Sequence, residues 1–426
     1  MTTLHPDHPA RQPGHDQARV SRFAPSWWTT LRSAMDRPLT PYYLLLGASA
    51  LLLTIGLIMV LSASSVRSFR IYDDSYAIVR RQLMWVALGI PAAWIASRLP
   101  YAALRRLAWP GLAVSLVLLA LVQVPGLGIT VNGNTNWLGV GPLAIQPSEV
   151  AKLALVLWAA HVYALKERRL DQLHHVMVPV VPGVLAAIML VVLGSDLGTA
   201  LVLFAILLAM LWIVGAPSRL FVFSSSVVGV VALYLASTST ERRERLTNFV
   251  DPFKDYHDTG WQPAHGLYAL STGGWTGQGI GGSTQKWGDL PEAHTDFIFA
   301  VLGEELGLVG TLLVIGLFLT IAYAATKVAL RTQDPFVRYM TFGIVVWLLG
   351  QMIINVGMVL ALLPVIGIPL PLISYGGSAL LPSLVALGLL IGFARREPEA
   401  AEALASRRRS GAREPATVSV HGPGSA

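Results

Sequence analysis

The chain has no cysteine, and only 13% of its 426 residues are charged. Without cysteine there is no disulfide, no thiol nucleophile and no Cys-bound zinc. A soluble domain carries about 25% charged residues, so this composition argues against a chain surrounded by water. The N-terminal stretch has no apolar run beside a small-residue cleavage site, so no cleaved signal peptide is expected. The glycine-rich stretch at 273–282 is not followed by a GK[ST] and has no βαβ context, which argues against a nucleotide-cradling loop. The net charge of +7 needs no nucleic acid to explain it, because the basic residues follow a membrane pattern.

What the chain has is apolar length: 54% of its residues are hydrophobic. Runs of about 20 apolar residues cross a bilayer as helix. Ten are expected, at 42–63, 82–97, 108–125, 148–165, 177–193, 196–214, 220–237, 297–325, 339–362 and 377–394. The fold class expected is an all-α polytopic membrane protein of about ten transmembrane helices, in a domain over 41–396. A large extracytoplasmic loop, about 238–296, joins helices 7 and 8. With both ends cytoplasmic, the inner segments hold 21 Lys and Arg, the outer loops nine, and Lys152 alone lies within a span. That bias follows the positive-inside rule. Residues 1–40 and 397–426 read as disordered cytoplasmic tails. Phe23–Met35 is a candidate interfacial helix, with Trp27 and Trp28 at headgroup level, and Arg407–Arg409 is a candidate lipid or partner patch.

The long loop departs most from the apolar pattern. It holds Gln285 and Lys286 beside the glycines, and returns to the membrane through Glu292, His294 and Asp296. A carboxylate at the mouth of a membrane helix is costly unless solvated or partnered. Capping of the eighth helix would explain Asp296; so would a base poised beside lipid headgroups, its pKa raised by partial desolvation. Glu292, four residues earlier, would share its face on a continuous helix. The glycine amides are candidates for a lipid pyrophosphate, with Lys286 as an adjoining cation.

Other polar residues sit where helices begin or break. Pro147 and Glu149 suit a helix start, and Lys152 lies within pairing distance of Glu149. Asp196 is a candidate cap for the sixth span or a residue of the cavity. Gln351 and Asn355 share a face of the ninth span and suit bonds between helices. The stretch LLPVIGIPLPLISYGGSAL at 362–380 cannot be regular helix. It presents Ser374, Tyr375 and Ser378, and irregular backbone at membrane depth is tolerated where it lines a cavity or is buried in protein.

IQPSEVAK at 145–152, DLGTA at 196–200, GQGIGGSTQK at 277–286, LPEAHTDFIFAVLGEELG at 290–307 and the 362–380 stretch together resemble the SEDS family of polytopic peptidoglycan glycosyltransferases. The resemblance covers nearly all of 40–396 and leans toward the division branch over the elongation branch. It implies a SEDS-type fold and polymerisation of lipid II with release of undecaprenyl pyrophosphate. It places the family's essential acid at Asp296. Glu292, Lys152, Glu149, Lys286, Gln285, Asp196, Ser374, Tyr375 and Ser378 become supporting or substrate-contacting candidates. No protein cofactor is implied, although a divalent cation, Mg or Mn, would suit a pyrophosphate leaving group. Implied partners are lipid II and the undecaprenyl-linked glycan, a class B penicillin-binding protein, and other divisome membrane proteins at a septal plasma membrane. The chain lacks the SxxK, SDN and KTG set of a transpeptidase. Two family features are absent: Thr135-Asn136 stands where Arg-Arg is common, and Gly194-Ser195 where Gln-Pro is common. The first removes a cationic contact to an anionic donor and leaves Asn136 without an assigned role. A lipid II flippase and a non-catalytic division scaffold are the competing readings.

Overall fold

The computed structural model describes residues 33–411, apart from 132, 141–142, 238–248, 250, 255, 257–259 and 289. The tail 1–32, the Trp27–Trp28 segment and the run at 241–245 lie outside the described residues.

Each expected apolar segment is helical. The helices are α1 (Thr40–Tyr72), α2 (Ala77–Arg98), α3 (Tyr101–Val122), α4 (Pro147–Leu165), α5 (Leu173–Met177), α6 (Val180–Leu193), α7 (Leu197–Ile213) and α8 (Ser218–Ser237). They continue as α9 (Trp261–Gly273), α10 (Ile298–Arg331), α11 (Pro335–Val359), α12 (Gly377–Arg396) and α13 (Pro398–Gly411). Seven helical stretches are long and apolar enough to cross a membrane, among them α1, α10, α11 and α12. Helix α7 and the stretch 218–230 are apolar but shorter.

Three features depart from the expected all-α layout with plain tails. Residues 128–145, between two of the expected spans, form a small antiparallel sheet of β1 (Gly128–Val131), β2 (Asn134–Val140) and β3 (Leu143–Ile145). Threonine, isoleucine, valine and tryptophan favour the pleat, and Gly133, at φ 77°, lies between β1 and β2. The loop contains α9, so it is built structure rather than slack chain. Residues 398–411, expected as tail, are helical: Pro398 suits a first turn, and the run EAAEALA consists of strong helix formers.

The core explains where irregular backbone can sit. Helix α12 packs along α2, and a Cβ on Gly388 or Gly392 would stand 2.2 Å from Ala93 O or 2.6 Å from Ser97 O. Small residues four apart let two membrane helices approach to backbone contact. Helices α1 and α10 lie side by side. At about 1.5 Å per residue, the 33 residues of α1 rise about 50 Å, against a hydrocarbon thickness of about 30 Å. That excess length brings Arg67, near the end of α1, to Glu292.

Candidate active site

Asp296 lies in a turn, not a helix. Glu292, at φ 53°, turns the chain, and its carbonyl accepts from the amides of Thr295 (3.1 Å) and Phe297 (3.2 Å). Helix α10 then begins at Ile298, with Phe297 in the cap position and no side-chain cap. The capping explanation for Asp296 therefore falls, and Glu292 and Asp296 do not share a helical face. Instead, the Glu292 carboxylate accepts from Thr295 Oγ1 (2.7 Å) and meets Arg67 Nη1 of α1 at 3.4 Å.

The backbone of this turn is pinned at three successive residues. Tyr375 N donates to His294 O (2.9 Å), Ser374 Oγ to Thr295 O (2.6 Å), and Asn355 Nδ2 to Asp296 O (2.7 Å). Asn355 also donates to Ile368 O (2.8 Å), so one amide ties α11 to both the turn and the 362–376 loop. Gln82 of α2 holds that loop in turn, through Ser374 O and Gly376 N, both at 3.3 Å. Ser374 and the Tyr375 backbone thus act as fasteners. The Tyr375 ring lies against His294, their centroids 5.5 Å apart. Ser378 is buried in the first turn of α12.

The Asp296 carboxylate itself has no hydrogen-bond or salt-bridge partner among the described residues and is half-buried. Burial pushes its pKa up to about 7, and the negative charges of Glu292 and Asp196 push the same way. Burial also drives the neighbouring His294 down to about 4, so that ring is neutral. An unpaired acid that titrates near neutrality on a fixed backbone fits a general base.

Asp196 is the second acid of this region and has a different character. It caps α7 through Thr199 N (2.9 Å), as expected, and accepts from Thr199 Oγ1 (2.9 Å), Asn136 Nδ2 (2.9 Å) and Gln146 Nε2 (3.1 Å). Four donors hold it as an acceptor. Asn136 thus gains a role that the sequence reading left blank, tying the sheet to α7. Next to it, Gly198 lies so close to the 362–376 loop that a Cβ there would be 2.5 Å from Ile366 O. One residue further along that loop, a Cβ at Gly367 would be 3.3 Å from Asp296 Oδ2.

Glu149 and Lys152 form the expected pair, 2.6 Å apart and buried in the first turn of α4. Glu149 Oε2 has no partner among the described residues, and Lys152 Nζ lies 5.6 Å from the Trp347 ring centroid. Trp347 and Asn355 are eight residues apart on α11, a rise of about 12 Å. The pair therefore lies about two helical turns from the Asn355 anchor.

The expectation for the glycine loop and Lys286 is corrected. Helix α10 breaks at Gly307 (φ 66°, ψ −166°), a region open only to glycine. The loop fills the break: Leu308 N and Val309 N donate to Gly274 O and Trp275 O, while Gln278 N and Gly279 N donate to Glu304 O and Glu305 O. The Glu304 carboxylate accepts from Thr284 N (3.0 Å), Thr284 Oγ1 (2.9 Å) and Ser283 Oγ (2.5 Å). Lys286 is buried, and its ammonium donates to Glu305 Oε1 (2.8 Å), Ser62 Oγ (2.9 Å) and Gly281 O (2.8 Å). Its three protons are committed, so it has none for a phosphate. Gln285 is also internal, paired with His265 Nδ1 at 2.6 Å. These residues build the platform beside the site rather than its lining. The exposed cations near the Asp296 turn are Arg67, at Glu292, and Arg81, at Tyr72 (3.2 Å) and Tyr375; the sequence reading singled out neither. No group of three or more His, Cys, Asp or Glu side chains able to hold a metal occurs among the described residues.

The family described as "Cell cycle protein", which comprises FtsW, RodA and SpoVE, matches residues 43–398. The chain is 41% identical over 374 residues to the probable peptidoglycan glycosyltransferase FtsW of Mycobacterium bovis, covering 88% of this chain and 71% of that one. It is 37% identical to the stage V sporulation protein E of Bacillus subtilis, covering 84% and 97%. Among solved structures, one described as the structural coordination of polymerization and crosslinking by a peptidoglycan synthase complex matches with a TM-score of 0.68 and 30% identity, over 83% of this chain and 97% of that one. The rod shape determining protein RodA of Thermus thermophilus matches with a TM-score of 0.62 and 29% identity, over 84% and 97%.

Proposed function

The chain belongs to the FtsW, RodA and SpoVE family of cell cycle proteins, and we propose that it is a multi-pass membrane glycosyltransferase that polymerises lipid II with Asp296 as general base. The observation that carries this reading is the Asp296 carboxylate: half-buried, unpaired among the described residues, raised to about 7, and set on a backbone pinned from α11 and the 362–376 loop.

In the proposed step the 4-hydroxyl of the GlcNAc of lipid II attacks C1 of the lipid-linked glycan. Asp296 accepts the hydroxyl proton, the O4–C1 bond forms, and the bond from C1 to the pyrophosphate oxygen breaks. Undecaprenyl pyrophosphate departs with the bonding pair. A base is most effective when its pKa lies near the working pH, and neutral His294 does not compete for the proton. Arg67 and Arg81, exposed near the Asp296 turn, would steady the pyrophosphate. Asp196, with four donors, ties the sheet and the start of α4 to α7.

The ten-span topology with both ends on the cytoplasmic face, residence at the division septum and partnership with a class B penicillin-binding protein belong to the same proposal. The similarity to a synthase complex that couples polymerization and crosslinking supports the partnership. The test is to incubate the chain and its cognate transpeptidase with lipid II and read glycan products on a gel, comparing the parent with Asp296→Asn and Asp296→Ala. Polymer from the parent and none from folded, partner-bound variants is expected. Polymer from the variants would remove Asp296 from the chemistry. Movement of lipid II across vesicles without polymer would make the chain a flippase.

A further inference from the structure

On the side of the bundle opposite the Asp296 turn, the start of α1, the later turns of α10 and helix α13 enclose a groove of about 970 Å³. Its lining is graded. Arg37 stands at one end, Tyr43 and Tyr323 follow, and Leu319 and Gly316 lie beyond. Gly316 and Tyr323 are seven residues apart on α10, which separates them by about 10 Å along the helix. Leu319, Tyr43 and Tyr323 are exposed in the isolated chain, at 54%, 47% and 40%, so the groove opens outward to where lipid surrounds the bundle. Tyrosines mark headgroup level, and the residues beyond them reach acyl depth.

Two ion pairs flank the groove. Lys327 meets Asp36 at 3.0 Å, and Arg331 meets Glu397 at 3.7 Å. Arg37 is exposed, and its guanidinium has no partner among the described residues. It is the one charged residue in the groove's lining among the described residues, and it is positive. A cation at headgroup level above an aromatic rim and an apolar floor is complementary to one kind of molecule.

We propose that this groove is a binding site for one anionic phospholipid of the adjoining leaflet, its phosphate against Arg37 and an acyl chain along the α10 face toward Gly316. Basic pockets between membrane helices recognise anionic headgroups in this way. The site is separate from the glycan chemistry.

The test uses the full chain in detergent, titrated with dioleoylphosphatidylglycerol or, as neutral control, dioleoylphosphatidylcholine, with retained lipid counted by native mass spectrometry. Three variants divide the recognition. Gly316→Phe fills the floor; a Cβ at Gly316 meets nothing within 4 Å, so the substitution enters open space. Gly316→Ala adds a methyl and leaves the groove open. Arg37→Ala removes the cation. The expected result is one retained phosphatidylglycerol on the parent and on Gly316→Ala, and none on Gly316→Phe. Arg37→Ala is expected to bind it roughly fivefold more weakly, the contribution of one basic residue at a membrane surface. Equal retention of the two lipids, or phosphatidylglycerol binding unchanged by both Gly316→Phe and Arg37→Ala, overturns the proposal. So does a chain lacking residues 1–32 that binds lipid when the whole chain does not, because the groove's occupant is then the chain's own tail.

Discussion

The glycine loop is held at the α10 break by a buried ion pair, and removing one member of that pair is the perturbation that probes it. Lys286 and Glu305 are 2.8 Å apart, with side-chain exposures of 4% and 0%. Lys286→Met leaves the Glu305 carboxylate in a dry site with only the Ser283 amide at 3.4 Å and the Ser62 hydroxyl at 2.6 Å. Breaking such a pair from one side costs about 3–5 kcal/mol, whereas replacing both members with apolar residues of similar volume is close to neutral. At about 1.4 kcal/mol per tenfold, the loop would open roughly 10²–10⁴ times more often. Hydrogen exchange of peptides spanning Gln278, Gly279, Ser283 and Thr284 reports that opening, because these amides are bonded only while the loop is docked. Lys286→Met is expected to exchange there at least a hundredfold faster than the parent, and Lys286→Met with Glu305→Leu to recover most of the protection. Less than tenfold acceleration in the single variant, or a double variant as labile as the single, refutes the assignment of Lys286 to the platform.

Three further outcomes follow from the site. The folded pKa of Asp296 lies above its unfolded value, so between about 4 and 7 the folded state holds a proton that the unfolded state has lost; stability falls as pH rises through that window. Asp296→Asn removes that slope, and thermal unfolding measured at pH 5 and pH 7.5 is expected to differ less in the variant than in the parent. Asn355→Leu deletes both bonds from α11, to Asp296 O and Ile368 O, at about 1–3 kcal/mol for each buried carbonyl left unpaired; kcat should fall tenfold or more while the folded chain still binds its partner. Arg67→Ala and Arg81→Ala should raise KM for lipid II while Lys286→Met, in chains that retain the docked loop, should not; steady-state kinetics separates them.

Much of the architecture was legible because lipid imposes a coarse constraint: an apolar run long enough to cross a membrane has little choice but helix, and each such run here is one. Asp296 was legible because a carboxylate at a helix mouth needs a reason. Its surroundings were not. The turn that ends the capping reading depends on Glu292 taking a positive φ, which nothing in the sequence LPEAHTDF demands. The glycine loop was ambiguous by nature, since backbone amides that cradle an anion accept a phosphate and the protein's own carboxylates alike. Glu304 and Glu305, some twenty residues onward beside a helix break marked only by Gly307, capture them here: their backbone carbonyls accept from Gln278 and Gly279, and their carboxylates from Thr284 and Ser283. Lys286 follows the same logic. A lysine beside glycines reads as a phosphate ligand until Ser62, more than two hundred residues earlier, is seen to share its ammonium. Asn136 stood where the family commonly has arginine, and pattern alone gave it no partner; the sheet that presents it to Asp196 pairs segments that no apolar periodicity announces.

The most direct test of the account is the pH dependence of kcat/KM for glycan polymerisation from lipid II by the chain with its transpeptidase partner. The account predicts a rate that falls tenfold per pH unit below an ionisation near pH 7, the proton that Asp296 must lose before it can act. A rate that stays level from pH 7.5 down to about 5 would mean that no group titrating near neutrality accepts the proton, and Asp296 would not be the base described here.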